Sequence, residues 1–189
     1  MMHVVIVMGE PGTGKTTLVR KFMERWGTWK QMFTEWKLVP FHAFGRYVVL
    51  GKYEEGEVFA GTDRMSMAVQ PEAVAFLKEC SARGVIGVLF EGDRLTNLSF
   101  IEHCLENYDT QIFYLDVDPK TRASRYAERG SNQDEKFLKG RETKYANILT
   151  NFNVMMNVQK VKHENPEDTE ILIKTITEAL QNGATALSQ

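Results

Sequence analysis

The octapeptide Gly9-Glu-Pro-Gly-Thr-Gly-Lys15-Thr16 constrains this chain more than any other feature. It fits G-x-x-x-x-G-K-[ST], the pattern of a loop that wraps phosphate. Before it, His3 to Met8 is a short apolar run rich in β-branched residues, which reads as a buried parallel strand. After it, Leu18, Val19, Phe22, Met23 and Trp26 recur at helical spacing. Strand, loop and helix in that order are the context the motif requires. Gly9, Gly12 and Gly14 let the backbone curl until successive N–H groups face an anion. The helix opening at Lys15 adds its positive end. Gly9, Glu10, Pro11, Gly12, Thr13, Gly14, Lys15, Thr16 and Thr17 are therefore expected to hold the phosphates of a nucleoside triphosphate. Lys15 would reach the β- and γ-phosphates, and the Thr16 hydroxyl would ligate Mg²⁺.

A chain of 189 residues fits one domain with its own core. A formal net charge of −2 gives no overall pull toward nucleic acid or anionic membrane, though it leaves room for a local basic patch. Cys80 and Cys104 are too few for a disulfide framework and read as buried thiols of a reducing compartment. No apolar run approaches a membrane span. The first residues already form a strand, so no signal peptide is expected and the cytoplasm is the expected location.

Residues 26 to 53 carry Trp26, Trp29, Phe33, Trp36, Phe41, Phe44, Tyr47 and Tyr53, with Lys30, Lys37, His42, Arg46 and Lys52 interleaved and Glu35 the one acid. Trp36 to Val39 and Arg46 to Leu50 read as short strands. The segment has two readings. One is a set of core aromatics under a long connection. The other is an acceptor site, in which Trp36, Phe41 and Arg46 would stack and hold an acceptor of nucleic-acid type. Gly61-Thr-Asp63-Arg64 follows the apolar Val58-Phe59-Ala60. There Asp63 would take the proton of an attacking hydroxyl, and Arg64 would hold a phosphate oxygen. A surface ion pair is the plainer alternative.

Pro71 to Arg83 reads as a helix stopped by Gly84, and Val85 to Phe90 as a buried strand ending in Glu91-Gly-Asp93-Arg94. Glu91 or Asp93 would serve the metal, and Arg94 the acceptor. Asn97 to Asn107 reads as an amphipathic helix and Gln111 to Val117 as the fourth strand. Asp118-Pro119 then opens a helix with Arg122, Arg125 and Arg129 on one face. Lys136, Lys139, Arg141 and Lys144 continue the charge, so residues 119–150 are expected to form a helical lid that supplies cations and excludes water. Val154 to Val161 reads as a fifth strand. In the turn His163-Glu-Asn165-Pro166 the two side chains His163 and Asn165 would flank the nucleotide base. Glu167 to Gln181 reads as the closing helix, and from Gly183 the chain is small, polar and expected to fray.

The loop at Gly9–Thr16, the strand-end acids, the arginine helix after Asp118-Pro119 and the His163–Pro166 turn resemble, in that order, the phosphate-loop kinases of nucleosides and nucleotides. The resemblance implies a three-layer α/β/α fold whose five-stranded parallel sheet has the order 2-3-1-4-5. It implies one kinase domain over residues 1–189, with an acceptor-side insertion at about 26–66. ATP with Mg²⁺ would be the donor, with Arg122 or Arg125 near the adenine and Arg125, Arg129 and Arg141 on the transferring phosphoryl group. The chain departs from that family in having Glu91-Gly-Asp-Arg94 where an Asp-Gly-x-Pro-Arg stretch is usual, and in its aromatic segment. Gly61-Thr-Asp-Arg-Met-Ser66 and Lys136-Phe-Leu-Lys-Gly-Arg141 are similar to bacteriophage kinases that phosphorylate 5-hydroxymethyluracil within DNA. That likeness implies DNA carrying a modified base as partner, and the host cytoplasm as location. A free deoxynucleoside or its monophosphate is the alternative acceptor. An ATP-driven switch or binding module is the alternative of another class.

Overall fold

A computed structural model of the chain describes residues 1–32, 36–54, 56, 60–128 and 134–182. Expectations resting on Phe33, Glu35, Val58, Phe59, Arg129 and the segment from Gly183 lie outside the described residues.

The centre is β1 (His3–Met8), flanked by β5 (Gly87–Glu91) and β6 (Asp109–Asp116), both parallel to it. The expected five-stranded sheet is corrected to a seven-stranded one, in the order β2 (Lys30–Met32), β3 (Phe41–Phe44), β4 (Tyr47–Leu50), β5, β1, β6, β7 (Val158–Lys162), while its five parallel strands, β4-β5-β1-β6-β7, keep the expected order 2-3-1-4-5. β4 joins β5 in parallel, and β7 joins β6 in parallel. The additional strands come from the aromatic segment. β3 lies antiparallel beside β4, because a two-residue turn at Gly45-Arg46 reverses the chain without a crossover helix, and β2 adds antiparallel to β3 at the sheet edge. Trp36 to Val39 is not a strand. It is a turn in which the Val39 N–H donates to Trp36 O at 3.0 Å.

Alternation along β1 divides the core. Val4, Ile6 and Met8 face α2 (Gln70–Ala82), α3 (Leu98–Asn107) and the inner side of α5 (Glu135–Thr150). Val5 and Val7 face α1 (Lys15–Trp26) and α7 (Pro166–Asn182), through Phe22, Leu172 and Ile176. Each strand residue thus finds an apolar partner on one side or the other, as a parallel sheet covered on both faces requires. Cys80 and Cys104 are buried free thiols in the first of these layers.

Between α4 (Pro119–Glu128) and β7 the expected strand from Val154 starts late. Residues Phe152–Asn157 form α6 instead. Asn151 caps it by accepting from the Val154 N–H at 3.2 Å, and only Val154 turns inward while Met155 and Met156 stay exposed. No described helix is long and apolar enough to cross a membrane.

Candidate functional site

The carboxyl ends of β1, β5 and β6 open on the phosphate loop, where such sheets bind ligands. The loop is tied down before anything binds it. Thr13 Oγ1 donates to Glu10 O at 2.8 Å, and Lys15 Nζ donates to Gly9 O at 2.7 Å and Glu10 O at 3.2 Å. The ammonium is held over its own loop. His163 is buried directly behind: its Nδ1 is 2.7 Å from Thr13 O and its Nε2 3.0 Å from Thr169 Oγ1. A carbonyl only accepts, so Nδ1 carries the proton. Burial keeps this imidazole below its ordinary pKa, hence neutral. Gly14, at φ +87°, could not carry a side chain, since a Cβ there would stand 2.8 Å from the His163 ring.

Across the loop three carboxylates converge. Glu91, at the end of β5, is 1 % exposed. Its Oε1 lies 3.2 Å from both Thr16 Oγ1 and Tyr53 Oη, and its backbone oxygen accepts from Thr62 Oγ1 at 2.8 Å. Burial pushes its pKa up to about 7, with the nearby Lys15 charge pulling the other way. Room for this carboxylate exists because residue 61, at φ +70°, is glycine; any Cβ there would collide with it.

Asp63 sits on a single 3₁₀ turn, Thr62–Arg64, and its Oδ1 accepts the Asp93 N–H at 2.6 Å. Burial raises its pKa and the Asp93 charge adds to that, while Lys15 opposes. Asp93 is the reverse case. Burial pushes it up, but Lys144, the Tyr145 hydroxyl, Lys15 and Arg141 outweigh that and hold it below the ordinary carboxylate range. Tyr145 donates at 2.7 Å, Arg141 Nε pairs at 3.0 Å and Lys144 donates to the Asp93 carbonyl at 3.0 Å, all from α5. Two neighbouring acids are thereby driven apart, one toward proton uptake and one toward permanent charge.

The two helices α4 and α5 reach different targets. From α4, Arg122 pairs with Glu10, and Arg125 bridges Thr13 O at 3.4 Å and His163 O at 3.0 Å. From α5 the cations go to Asp93. Arg94 is half-buried, donates to Met65 O at 3.2 Å, and its charge reaches Asp63. Arg64 and Thr17 are exposed at the rim. Arg129 lies outside the described residues.

Several expected residues do not join the loop. The rings of Trp36 and Phe41 pack on Phe76 in the core, at 5.4 and 4.8 Å. Arg46 lies at the amino-terminal edge of the parallel strands, opposite the loop, with its Nε on Gly84 O at 2.6 Å. Asn165 caps α7 by accepting the Asp168 N–H at 2.9 Å. Tyr53 and Tyr145 are the residues that sequence reasoning missed as site residues, and Lys144, expected only as one of several cations in this segment, is the one that meets Asp93. Arg141, Lys144 and Tyr145 at i, i+3 and i+4 share a helix face, a signal that was present without a visible target.

The donor set suits a hard divalent cation. Thr16 and Glu91 offer oxygen only, 3.2 Å apart, next to the phosphate cradle. Among the described residues no cluster of three or more His, Cys, Asp or Glu forms a self-sufficient metal cage. The Thr16 and Glu91 oxygens fit Mg²⁺, which takes one or two protein ligands and completes its shell with phosphate and water.

The model of the family described as P-loop Nucleotide Kinase3 matches residues 1–178. No curated protein sequence matches. Among solved structures, a gluconokinase from Sinorhizobium meliloti 1021 superposes with a TM-score of 0.52 at 14% identity, covering 99% of this chain and 98% of that one. An unliganded sugar kinase from Janibacter sp. HTCC2649 gives 0.55 at 13% identity, over 100% and 99%. At such identities the likeness is one of fold alone.

Proposed function

This chain belongs to the P-loop nucleotide kinase family, and from that premise we propose that it transfers the γ-phosphoryl group of ATP to a hydroxyl of a nucleoside-type acceptor. The observation that carries this reading is the convergence of Asp63 and Glu91 on the phosphate loop: Glu91 lies 3.2 Å from Thr16 Oγ1, Thr62, beside Asp63, donates to the Glu91 carbonyl at 2.8 Å, and the Lys15 charge acts on both acids. Glu91 and Thr16 would hold Mg²⁺, which neutralises triphosphate charge when bound. Asp93 is occupied by α5, which favours Glu91 as the metal's acid. Lys15 moves from its loop carbonyls to the phosphates. Asp63 accepts the proton of the acceptor hydroxyl as the new O–P bond forms, while the γ-phosphorus to bridging-oxygen bond breaks and ADP leaves with the electron pair. Arg94 holds the acceptor, with Arg64 at its rim. Arg122 and Arg125 close α4 onto the loop, Arg141 adds charge near the transferring group, and Arg129, outside the described residues, would share that role. The likeness of Gly61–Ser66 and Lys136–Arg141 to phage enzymes makes 5-hydroxymethyluracil in DNA the first acceptor to test. A base in duplex DNA must leave the stack to be reached.

The family resemblance supports a transferase over an ATP-driven switch, and so does the chain's own supply of arginines beside the loop, since switches commonly wait for a partner's arginine. A sugar acid deserves a place in the panel because one fold neighbour is a gluconokinase. The test is transfer from γ-labelled ATP to hydroxymethyluracil DNA, free nucleosides, nucleoside monophosphates and gluconate. Label on a nucleoside-type hydroxyl is expected. Hydrolysis with no acceptor labelled would instead support the switch.

A further inference from the structure

A cavity of about 510 Å³ lies along the flank of α1, one helical turn beyond Thr16. It falls in the size range of small-molecule sites. Met23 and Trp29 form its apolar wall. The Trp29 ring is held rigid: its Nε1 donates to Met23 O at 2.9 Å, and it packs against Phe22, Trp26 and Phe44. His42 and Tyr53 line the same cavity, rings 5.8 Å apart. His42 is only 6 % exposed, and among the described residues its Nε2 has no hydrogen-bond partner. An unpaired polar atom at that depth is costly and calls for a partner. The charged rim is acidic on balance, with Glu24 and Glu54 against Arg20, whose guanidinium donates to Glu54 O at 3.1 Å. Phosphate is disfavoured there. Tyr53 links the cavity to the chemistry, because its hydroxyl lies 3.2 Å from the same Glu91 oxygen that Thr16 approaches.

We propose that this cavity is the ring site of the acceptor: it takes the uncharged heteroaromatic ring of a nucleoside, stacked on Trp29, with His42 Nε2 as partner of the ring's polar edge. The inference rests on the phosphotransferase reading above and names its acceptor class. It also divides labour along α1. Anionic groups belong at the helix's amino end, the neutral ring a turn or more beyond.

The test is calorimetric titration of the protein with 5-hydroxymethyl-2′-deoxyuridine, thymidine and gluconate, beside the His42→Phe variant. Phenylalanine keeps the ring against Tyr53 and removes the unpaired nitrogen. Nucleoside affinity is expected to fall about tenfold or more, with ATP affinity within about twofold and the melting temperature unchanged or higher. A purely structural histidine would show the opposite pattern. Unchanged nucleoside affinity in His42→Phe overturns the proposal. If that variant fails to fold, nucleoside quenching of tryptophan emission in the natural protein, lost in Trp29→Phe, supports it, and no quenching overturns it. Transfer to gluconate without nucleoside binding overturns the ring site and leaves the phosphotransferase reading standing. Failure to bind or turn over ATP strikes that parent reading instead, and nucleoside titration still decides the cavity.

Discussion

The backbone N–H of Asp93 donates to Asp63 Oδ1 at 2.6 Å, so one acid positions the other. In the proposed transfer the second Asp63 oxygen would take the incoming hydroxyl's proton, and its raised pKa makes it the better proton acceptor of the two. Asp63→Asn preserves an oxygen for the Asp93 amide and removes the basicity. Turnover is expected to fall by about two orders of magnitude or more, with ATP affinity nearly intact. Steady-state kinetics beside nucleotide titration measure both. Full turnover in this variant would take Asp63 out of the proton transfer.

Glu91 makes stability depend on pH. Its pKa rises from 4.5 to about 7 on folding. Between those values the folded protein keeps a proton that the unfolded chain has lost, so this group's contribution falls as pH rises through the window. Glu91→Gln should therefore raise the melting temperature of the ligand-free protein at pH 8 more than at pH 5, by about 1–3 kcal/mol of relative stability. Mg²⁺ needs the ionised form, so Mg²⁺-dependent ATP binding should strengthen as pH rises through about 7 in the natural protein and lose that dependence in Glu91→Gln. Melting curves at both pH values, with and without Mg²⁺–ATP, check the sign.

Tyr145 ties α5 to the site through Asp93 at 2.7 Å, and its ring is buried. Removing the hydroxyl in Tyr145→Phe leaves the packing and deletes the bond. The expected cost is about 1–2 kcal/mol, because a buried charged acceptor loses a donor. Hydrogen exchange should quicken in α5 and stay unchanged in α2. Equal quickening in both helices would mean a global loss of stability instead of a local loosening of α5.

What the sequence revealed and what it hid follow from range. β1 and α1 carry their pattern within a few residues, so the strand, the turn and the helix around Lys15 are legible locally. β2 and β3, of three and four residues, are too short for any periodicity, and their pairing depends on the turn at Gly45. Val154 looks like a strand start but follows Asn151, whose side chain caps a helix there. Aromatic residues 26–53 divide by which face of the sheet each meets: Trp36 and Phe41 go to the α2 side, Trp26 and Trp29 to the α1 side. Composition does not show that split. The site ties of Tyr53, Tyr145 and His163 join residues 38 to 150 positions apart, beyond the reach of local spacing.

The longest of these ties yields the last prediction. His163 Nδ1–H reaches Thr13 O from the other end of the chain, and Arg125 grips both residues' carbonyls, so the closing turn braces the loop from behind. His163→Ala leaves the Thr13 carbonyl with only the longer Arg125 contact at 3.4 Å and opens space behind Gly14. The loop should relax, and ATP affinity should fall about tenfold, with the acceptor KM within about twofold. His163→Asn places an amide N–H where Nδ1–H stood, so it should recover most of that affinity even if the smaller side chain lowers the melting temperature. Nucleotide titration and melting curves on the two variants separate the causes. If ATP affinity tracks melting temperature instead of the donor, His163 is core packing only and the loop holds its shape without it.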